Sequence, residues 1–184
     1  MKSRNIVVLL SGGIDSTACI HFLLKQDLNV SALYVEHGQA ARAYEARSAR
    51  EICKYFNIKL QECAVRTNTN FVEGELRGRN AFLIFSALLF SPCTNGLLAI
   101  GIHSGTKYYD CSPGFLDRVR GVVTEYTSGQ FDVIAPFLTW TKHEIISYCV
   151  SERIPIGLTY SCERGTHEPC GECTSCRDRK GLVC

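Results

Sequence analysis

The chain has 184 residues, 46% hydrophobic and 21% charged, with a net charge of +2. That is the size and composition of one ordinary globular domain with enough apolar residues for a real core. So mild a charge argues against nucleic acid as the main partner, and no apolar run approaches the ~20 residues of a membrane helix. The opening "MKSRNIVVLL" sets basic residues before an apolar stretch. It is not read as a leader, because the stretch is short and glycines follow it instead of a cleavage site.

In chain order, Asn5–Leu10 reads as a buried strand and Asp15–Gln26 as a helix. Asn29–Glu36 is a second strand and Arg42–Phe56 a second helix. Ile58–Val65 alternates like a third strand, and Arg66–Glu75 is a polar loop. Asn80–Phe90 is apolar almost all round, so a buried helix is expected there. Leu97–Ile102 and the shorter Phe131–Ala135 complete five strands, and Thr141–Glu152 is an amphipathic helix. Strands alternating with helices predict a doubly wound α/β fold around a mostly parallel sheet, with right-handed crossovers. Residues 1–158 form that domain, and 159–184 are a metal-stapled tail of it.

The first strand stops at "SGGIDST". In open parallel sheets, ligands sit beyond the carboxyl ends of the strands, and a helix opening there offers bare N–H groups and the positive end of its dipole. Gly12 and Gly13 remove side chains that would block a phosphate, and Ser11, Ser16 and Thr17 can donate hydroxyl hydrogen bonds. Asp15 is the odd member, since an acid repels phosphate. It makes sense as a magnesium ligand or as a helix cap. Neither the Walker lysine nor a G-x-G-x-x-G is present.

Eleven cysteines are an odd number for a disulfide scaffold. Cys19, Cys53, Cys63, Cys93, Cys111, Cys149 and Cys184 stand singly among apolar residues and are expected as free thiols in a reducing compartment, the cytoplasm. Cys162, Cys170, Cys173 and Cys176 follow a C-x7-C-x2-C-x2-C spacing that suits a closed tetrahedral zinc site. An iron–sulfur cluster is the rival reading. His167 is read as an exposed loop residue rather than a ligand.

"SGGIDS" after a first strand resembles the pyrophosphate-binding loop of the N-type ATP pyrophosphatases, the PP-loop superfamily. The resemblance implies an adenine nucleotide alpha hydrolase-like fold. It implies that Ser11, Gly12, Gly13, Asp15 and Ser16 hold the pyrophosphate part of ATP, with adenine against Leu33, Tyr34 and Val35. With "GRN" at Gly78–Asn80, "APFLTWTKHEI" at Ala135–Ile145 and "YSCERGTHEPCGECTSCRDR" at the end, nearly the whole chain looks like the 7-cyano-7-deazaguanine synthase family. The implied reaction converts 7-carboxy-7-deazaguanine, ATP and ammonia into the nitrile, a precursor of queuosine. The implied zinc ligands are Cys162, Cys170, Cys173 and Cys176, and a homodimer is the implied assembly. The chain departs from the family pattern at Ala40-Ala41, where arginine and histidine are usual. It departs again in "SGTKYYDCSPGFLDRV", where Tyr109-Asp110-Cys111 survive but the family's proline is displaced and its arginine absent. Both departures fall where the base and carboxylate should be recognised.

Within that frame Asp15, Lys142, Arg79 and Asp110 are the candidate catalytic residues. Arg79, Asn80, Ser104, Tyr108 and Asp110 are the candidate substrate contacts. Lys142 is read as a cation for the phosphates, the alternative being an exposed surface lysine. Arg79 is read as a nucleotide or substrate contact or, alternatively, a structural ion pair. Asp110 is read as a ligand for magnesium or an exocyclic amine, or as an Asx-turn. His103 is either a proton shuttle or a satisfied buried histidine, and Trp140 is expected to pack rather than stack on a base. Three further readings stay open. One is a relative that stops at the amide or joins the activated carboxylate to another amine, such as a protein amino terminus, a chemistry of bacterial antiviral defence. Another is a PP-loop tRNA thiolase, which the mild charge and the lack of an added RNA-binding domain oppose. The last is a non-enzymatic zinc module, for which a pyrophosphate cradle has no use.

Overall fold

The structure, a computed structural model, describes residues 4–72 and 74–180. Five strands, β1 (Asn5–Leu9), β2 (Asn29–Glu36), β3 (Leu60–Ala64), β4 (Gly96–Ala99) and β5 (Phe131–Ile134), form one sheet in the order β3-β2-β1-β4-β5. Every pairing is parallel. The helices are α1 (Ile14–Leu24), α2 (Arg42–Phe56), α3 (Arg79–Phe90), α4 (Pro113–Tyr126), α5 (Lys142–Ser151) and α6 (Thr174–Lys180).

Alternate residues of the central strands feed two cores. Ile6, Val8, Ala32 and Tyr34 pack with Ala18, Ile20 and Leu23 of α1, Ala49 and Ile52 of α2, and Ile145 of α5. Val7, Leu9, Leu33, Val35 and Leu98 pack with Ile84 and Ala87 of α3 and with Phe115, Val119 and Val123 of α4. Burial on both faces is why these strands read as unbroken apolar runs. The edge strand β3 has no buried residue, so its pattern alternates instead.

The expected fold is present, although β3 begins two residues later and β4 ends three residues earlier than the sequence reading. The exception is α4, a segment that sequence left unassigned. Ser112 caps it, its hydroxyl accepting the Phe115 N–H at 3.2 Å, and Pro113 opens it. Of the cysteines expected as buried thiols, Cys19, Cys53, Cys111 and Cys149 are buried, but Cys63 and Cys93 are only half-buried because they sit on the edge strand and in a surface turn. Cys184 lies outside the described residues. Among those residues no helix is long and apolar enough to cross a membrane.

The chain steps outward from β1 through β2 to β3, then crosses back by α3 to place β4 on the other side of β1, so the strand order reverses at β1. The loops after β1 and β4 therefore diverge and leave a crevice at the carboxyl edge of the sheet.

Candidate nucleotide site and metal centre

The loop after β1 enters this crevice. Gly12 has φ +79°, and a Cβ there would lie 2.7 Å from the Glu45 carbonyl oxygen and 3.0 Å from Ser48. Only glycine lets the loop press against the first turns of α2. Gly13 begins α1 without a side-chain cap, so Asp15 does not cap the helix. The Thr17 hydroxyl donates to the Gly13 carbonyl at 2.7 Å, and Thr17 is fully buried, so it braces the turn. The Ser16 hydroxyl donates to the same carbonyl at 3.1 Å and lies 3.2 Å from the Ser11 hydroxyl, which is exposed at the mouth. The Ile14, Asp15 and Ser16 N–H groups belong to the first turn of α1 and have no carbonyl one turn earlier within the helix.

Asp15 reaches across to α5. Its two carboxylate oxygens accept hydrogen bonds from Lys142 Nζ at 2.6 and 2.8 Å. Lys142 is the first residue of α5, just inside a capping box in which the Thr141 hydroxyl accepts the Glu144 N–H and the Glu144 carboxylate accepts the Thr141 N–H. A cation is disfavoured at a helix amino terminus, and Asp15 offsets that cost. His103, in the loop after β4, sets its Nε2 3.9 Å from Asp15 Oδ2. Ser104 gives both its N–H and its hydroxyl to the Trp140 carbonyl, at 2.9 and 2.7 Å, so it ties this loop to the start of α5. Trp140 packs edge-on to Phe22 and Tyr148, as expected of a core residue.

A second polar cluster lies behind α2 and α3. Asn80 donates its N–H to Asp110 Oδ2 at 3.2 Å and its amide to the Asp110 carbonyl at 3.0 Å, which clamps α3 to the turn Tyr109–Cys111. Tyr108, just before that turn, packs against the adjoining core. The Arg79 guanidinium donates to Asn80 Oδ1 at 3.4 Å. Burial raises the pKa values of Glu45 and Cys111 and lowers that of His37; the Arg79 charge opposes the first two shifts and adds to the third, which places one cation among all three.

Sequence reasoning missed Glu45 and the Gln39 that holds it. The Gln39 amide donates to Glu45 Oε2 at 2.8 Å and to the Tyr34 hydroxyl at 3.1 Å, while its own carbonyl oxygen accepts the His37 N–H at 2.7 Å. Burial raises the Glu45 pKa above the usual 4.5, against the Gln39 bond and Arg79. A carboxyl with a raised folded-state pKa contributes most below pH 4.5 and loses that contribution as pH rises through the folded value. Glu45→Gln is therefore expected to melt higher than the parent at pH 8 and alike at pH 4, as thermal melts at the two pH values will show. Leu33, Tyr34 and Val35 turn their side chains into the two cores, so what they offer a ligand is main chain.

The tail closes the crevice from a third side. The Tyr160 N–H donates to the Gly12 carbonyl at 2.9 Å, and the Tyr160 ring stacks on Tyr44 of α2 with centroids 4.9 Å apart. The Sγ atoms of Cys162, Cys170, Cys173 and Cys176 lie within 4.8 Å of one another. His167 is exposed outside this set. Burial pushes the Cys162 thiol up, but donors led by the Cys170 N–H outweigh it and bring it to about 5. Burial pushes Cys176 up to about 12. Four sulfurs this close cannot all ionise unless a cation lies between them, and the donor set fits one metal ion. Glu163 holds α6 by accepting the Ser175 N–H and hydroxyl at 3.2 and 2.7 Å. Arg179 donates to the carbonyls of Thr159 and Ile156.

The family model of the queuosine biosynthesis protein QueC matches residues 5–81 and 71–182. The chain is 28% identical to the 7-cyano-7-deazaguanine synthase of Acetivibrio thermocellus, over 94% of this chain and 90% of that one. It is 29% identical to that of Prochlorococcus marinus (strain MIT 9215), over 97% and 93%. Among solved structures, it is similar to the U34-tRNA thiolase NcsA from Methanococcus maripaludis, with a TM-score of 0.59 and 16% identity over 97% of this chain and 64% of that one. It is also similar to the NH3-dependent NAD synthetase from Campylobacter jejuni, with a TM-score of 0.51 and 20% identity over 86% and 68%. These structural likenesses bear on the fold alone.

Proposed function

We infer the function from one premise: the chain belongs to the family of the queuosine biosynthesis protein QueC. It is an enzyme of queuosine-precursor synthesis, an ATP-dependent ligase acting on 7-carboxy-7-deazaguanine. The observation that carries this reading is the glycine loop at the point of strand reversal, walled by Asp15, Lys142 and the Tyr160 segment.

A carboxylate is a poor electrophile. One of its oxygens attacks the α-phosphorus of ATP, the bond to the bridging α–β oxygen breaks, and pyrophosphate leaves. Ammonia then adds to the carboxyl carbon, the C–O bond to AMP breaks, and an amide results. A second adenylation on the amide oxygen, with loss of AMP and protons, gives the nitrile. The loop Ser11–Ser16 with the first turn of α1 receives the departing pyrophosphate, and Lys142 supplies positive charge as the leaving group gains negative charge. Asp15 is the residue here that would hold a magnesium ion, which shields phosphate charge when bound. Arg79 faces the substrate carboxylate, and Asp110, fixed by Asn80, lies beside the base. In the tail, the sulfur spacing supports zinc: around one zinc, sulfurs at ~2.3 Å stand about 3.8 Å apart, and the four sulfurs lie within 4.8 Å of one another, Cys170 and Cys176 at 3.9 Å. A four-iron cluster spreads its ligands around a cube, farther apart than this. With four thiolates the ion is structural, and such free thiols suit a reducing cytoplasm.

One observation favours a second amine. The wall beyond β4, at Gly105–Asp110, is one of the two places where the chain departs from the family pattern. An altered wall there suits an amine other than ammonia, such as a protein amino terminus. The test is to incubate the protein with ATP and 7-carboxy-7-deazaguanine, with and without ammonium, and to weigh the products. Nitrile with AMP and pyrophosphate is expected. Amide alone, or adenylate that accumulates until another amine is added, selects the second reading. No adenylate or AMP in any arm overturns both.

A further inference from the structure

The Lys142 pairing sets a problem for Asp15. Both its oxygens are held by Lys142, yet that ammonium is also the cation available to the phosphates. Once Lys142 turns to an incoming anion, both Asp15 oxygens lose their donor, and with one of them on a magnesium ion the other still needs a holder. His103 is built to meet this. Its Nδ1 accepts the Gly105 N–H at 3.0 Å, so in the neutral ring the proton sits on Nε2, the atom 3.9 Å from Asp15 Oδ2. The ring cannot drift, because Ser104 is tied to the Trp140 carbonyl. Gly101 packs so closely on α1 that a Cβ would lie 3.1 Å from the Asp15 and Ser16 main chain.

We propose that His103 is a positioning residue for Asp15: its Nε2–H takes over the carboxylate when Lys142 turns to the phosphates, and Asp15 keeps its place beside the glycine loop. A neutral donor suits this task, since a second cation would compete with Lys142 for the anion. The charged groups that bear on the ring are Asp15 from α1, Lys142 from α5 and Asp178 from α6. Burial pulls the His103 pKa down, Asp15 pulls it up, Lys142 pulls it down and Asp178 pulls it up, with a net fall below 6.5.

This inference rests on the ATP reading above, and two measurements keep the two apart. The first is nitrogen-15 NMR of the histidines in the full-length protein, with inorganic pyrophosphate as the probe. His103 is expected as the neutral Nε2–H form, its proton moving downfield on pyrophosphate addition as the bond to Asp15 tightens. A proton on Nδ1, or no response to bound pyrophosphate, overturns the proposal whether or not any variant folds. The second is pyrophosphate release from ATP. His103→Leu is expected to lower kcat roughly ten- to a hundredfold, the worth of one hydrogen bond to a charged group. His103→Gln, which carries an N–H at the ε position and does not titrate, should rescue most of that loss. Equal rates for the leucine variant and the parent, or glutamine no better than leucine, contradict the proposal. The expected NMR response in a parent protein that never cleaves ATP would retire the reaction and leave the His103–Asp15 partnership standing.

Discussion

Lys142→Ala is expected to slow pyrophosphate release by roughly 10²–10³, the usual cost of one donor aimed at developing charge. The ammonium sits at the amino terminus of α5, where the helix dipole disfavours it, and is held within 2.8 Å of both Asp15 oxygens. Neither feature helps the fold much. Removing Lys142 leaves Asp15 at the amino terminus of α1, where an acid is welcome, so the melting temperature should move little. The effect belongs in kcat at saturating ATP. Lys142→Arg keeps the charge but not the compact point donor, and should recover only part of the rate. Quenched-flow measurement of pyrophosphate, with thermal melts of each variant, checks both halves. A rate within threefold of the parent would remove Lys142 from the chemistry.

The second large effect is expected on loss of the metal. Cys162 follows Tyr160 by two residues and Cys173 and Cys176 anchor α6, so an ion held by the four sulfurs would cross-link the segment that carries Tyr160 to the end of the described chain. Without it, the four sulfurs repel or protonate and turn towards water. The Tyr160 N–H then leaves the Gly12 carbonyl, and the stack on Tyr44 opens. Structural zinc contributes about 10 kcal/mol or more in small zinc-bound folds, although only part of that is coupled to this domain. A fall in melting temperature of about 10 °C or more is expected for Cys173→Ser or after chelation. ATP turnover should be lost with it and regained when zinc is returned to the chelated parent. Elemental analysis should give one zinc per chain. Unchanged melting and turnover in metal-free protein would contradict the coupling of tail to glycine loop.

The sheet was legible because its central strands are buried on both faces and end in punctuation: Ser11-Gly12-Gly13 after β1, and Gly38 after β2. Helix α4 was harder to see. Its apolar positions, Phe115, Val119 and Val123, lie in a stretch rich in turn residues, and its cap and opening proline resemble one more turn until the helix is seen to continue. The glycine loop was legible in residue type but not in division of labour. Thr17 looks like a phosphate donor in sequence, and its bond to the Gly13 carbonyl shows it bracing the turn. Lys142, 127 residues from Asp15, could be suspected but not paired, because that pairing is made by the sheet. Glu45 was invisible for a different reason. An acid in the first turn of a helix is what the dipole favours anyway, so nothing local marks this one as buried against Gln39 and Tyr34. The four cysteines were fully legible, since their spacing alone brings the sulfurs within one coordination sphere.

The account depends on AMP passing to an oxygen of the substrate's own carboxylate. The most direct measurement supplies 7-carboxy-7-deazaguanine with its carboxyl oxygens labelled with oxygen-18, together with ATP and ammonium, and follows the label by mass spectrometry. One labelled oxygen should appear in the phosphate of AMP, with the pyrophosphate unlabelled. Label in orthophosphate alongside ADP, or AMP that carries none, would contradict it.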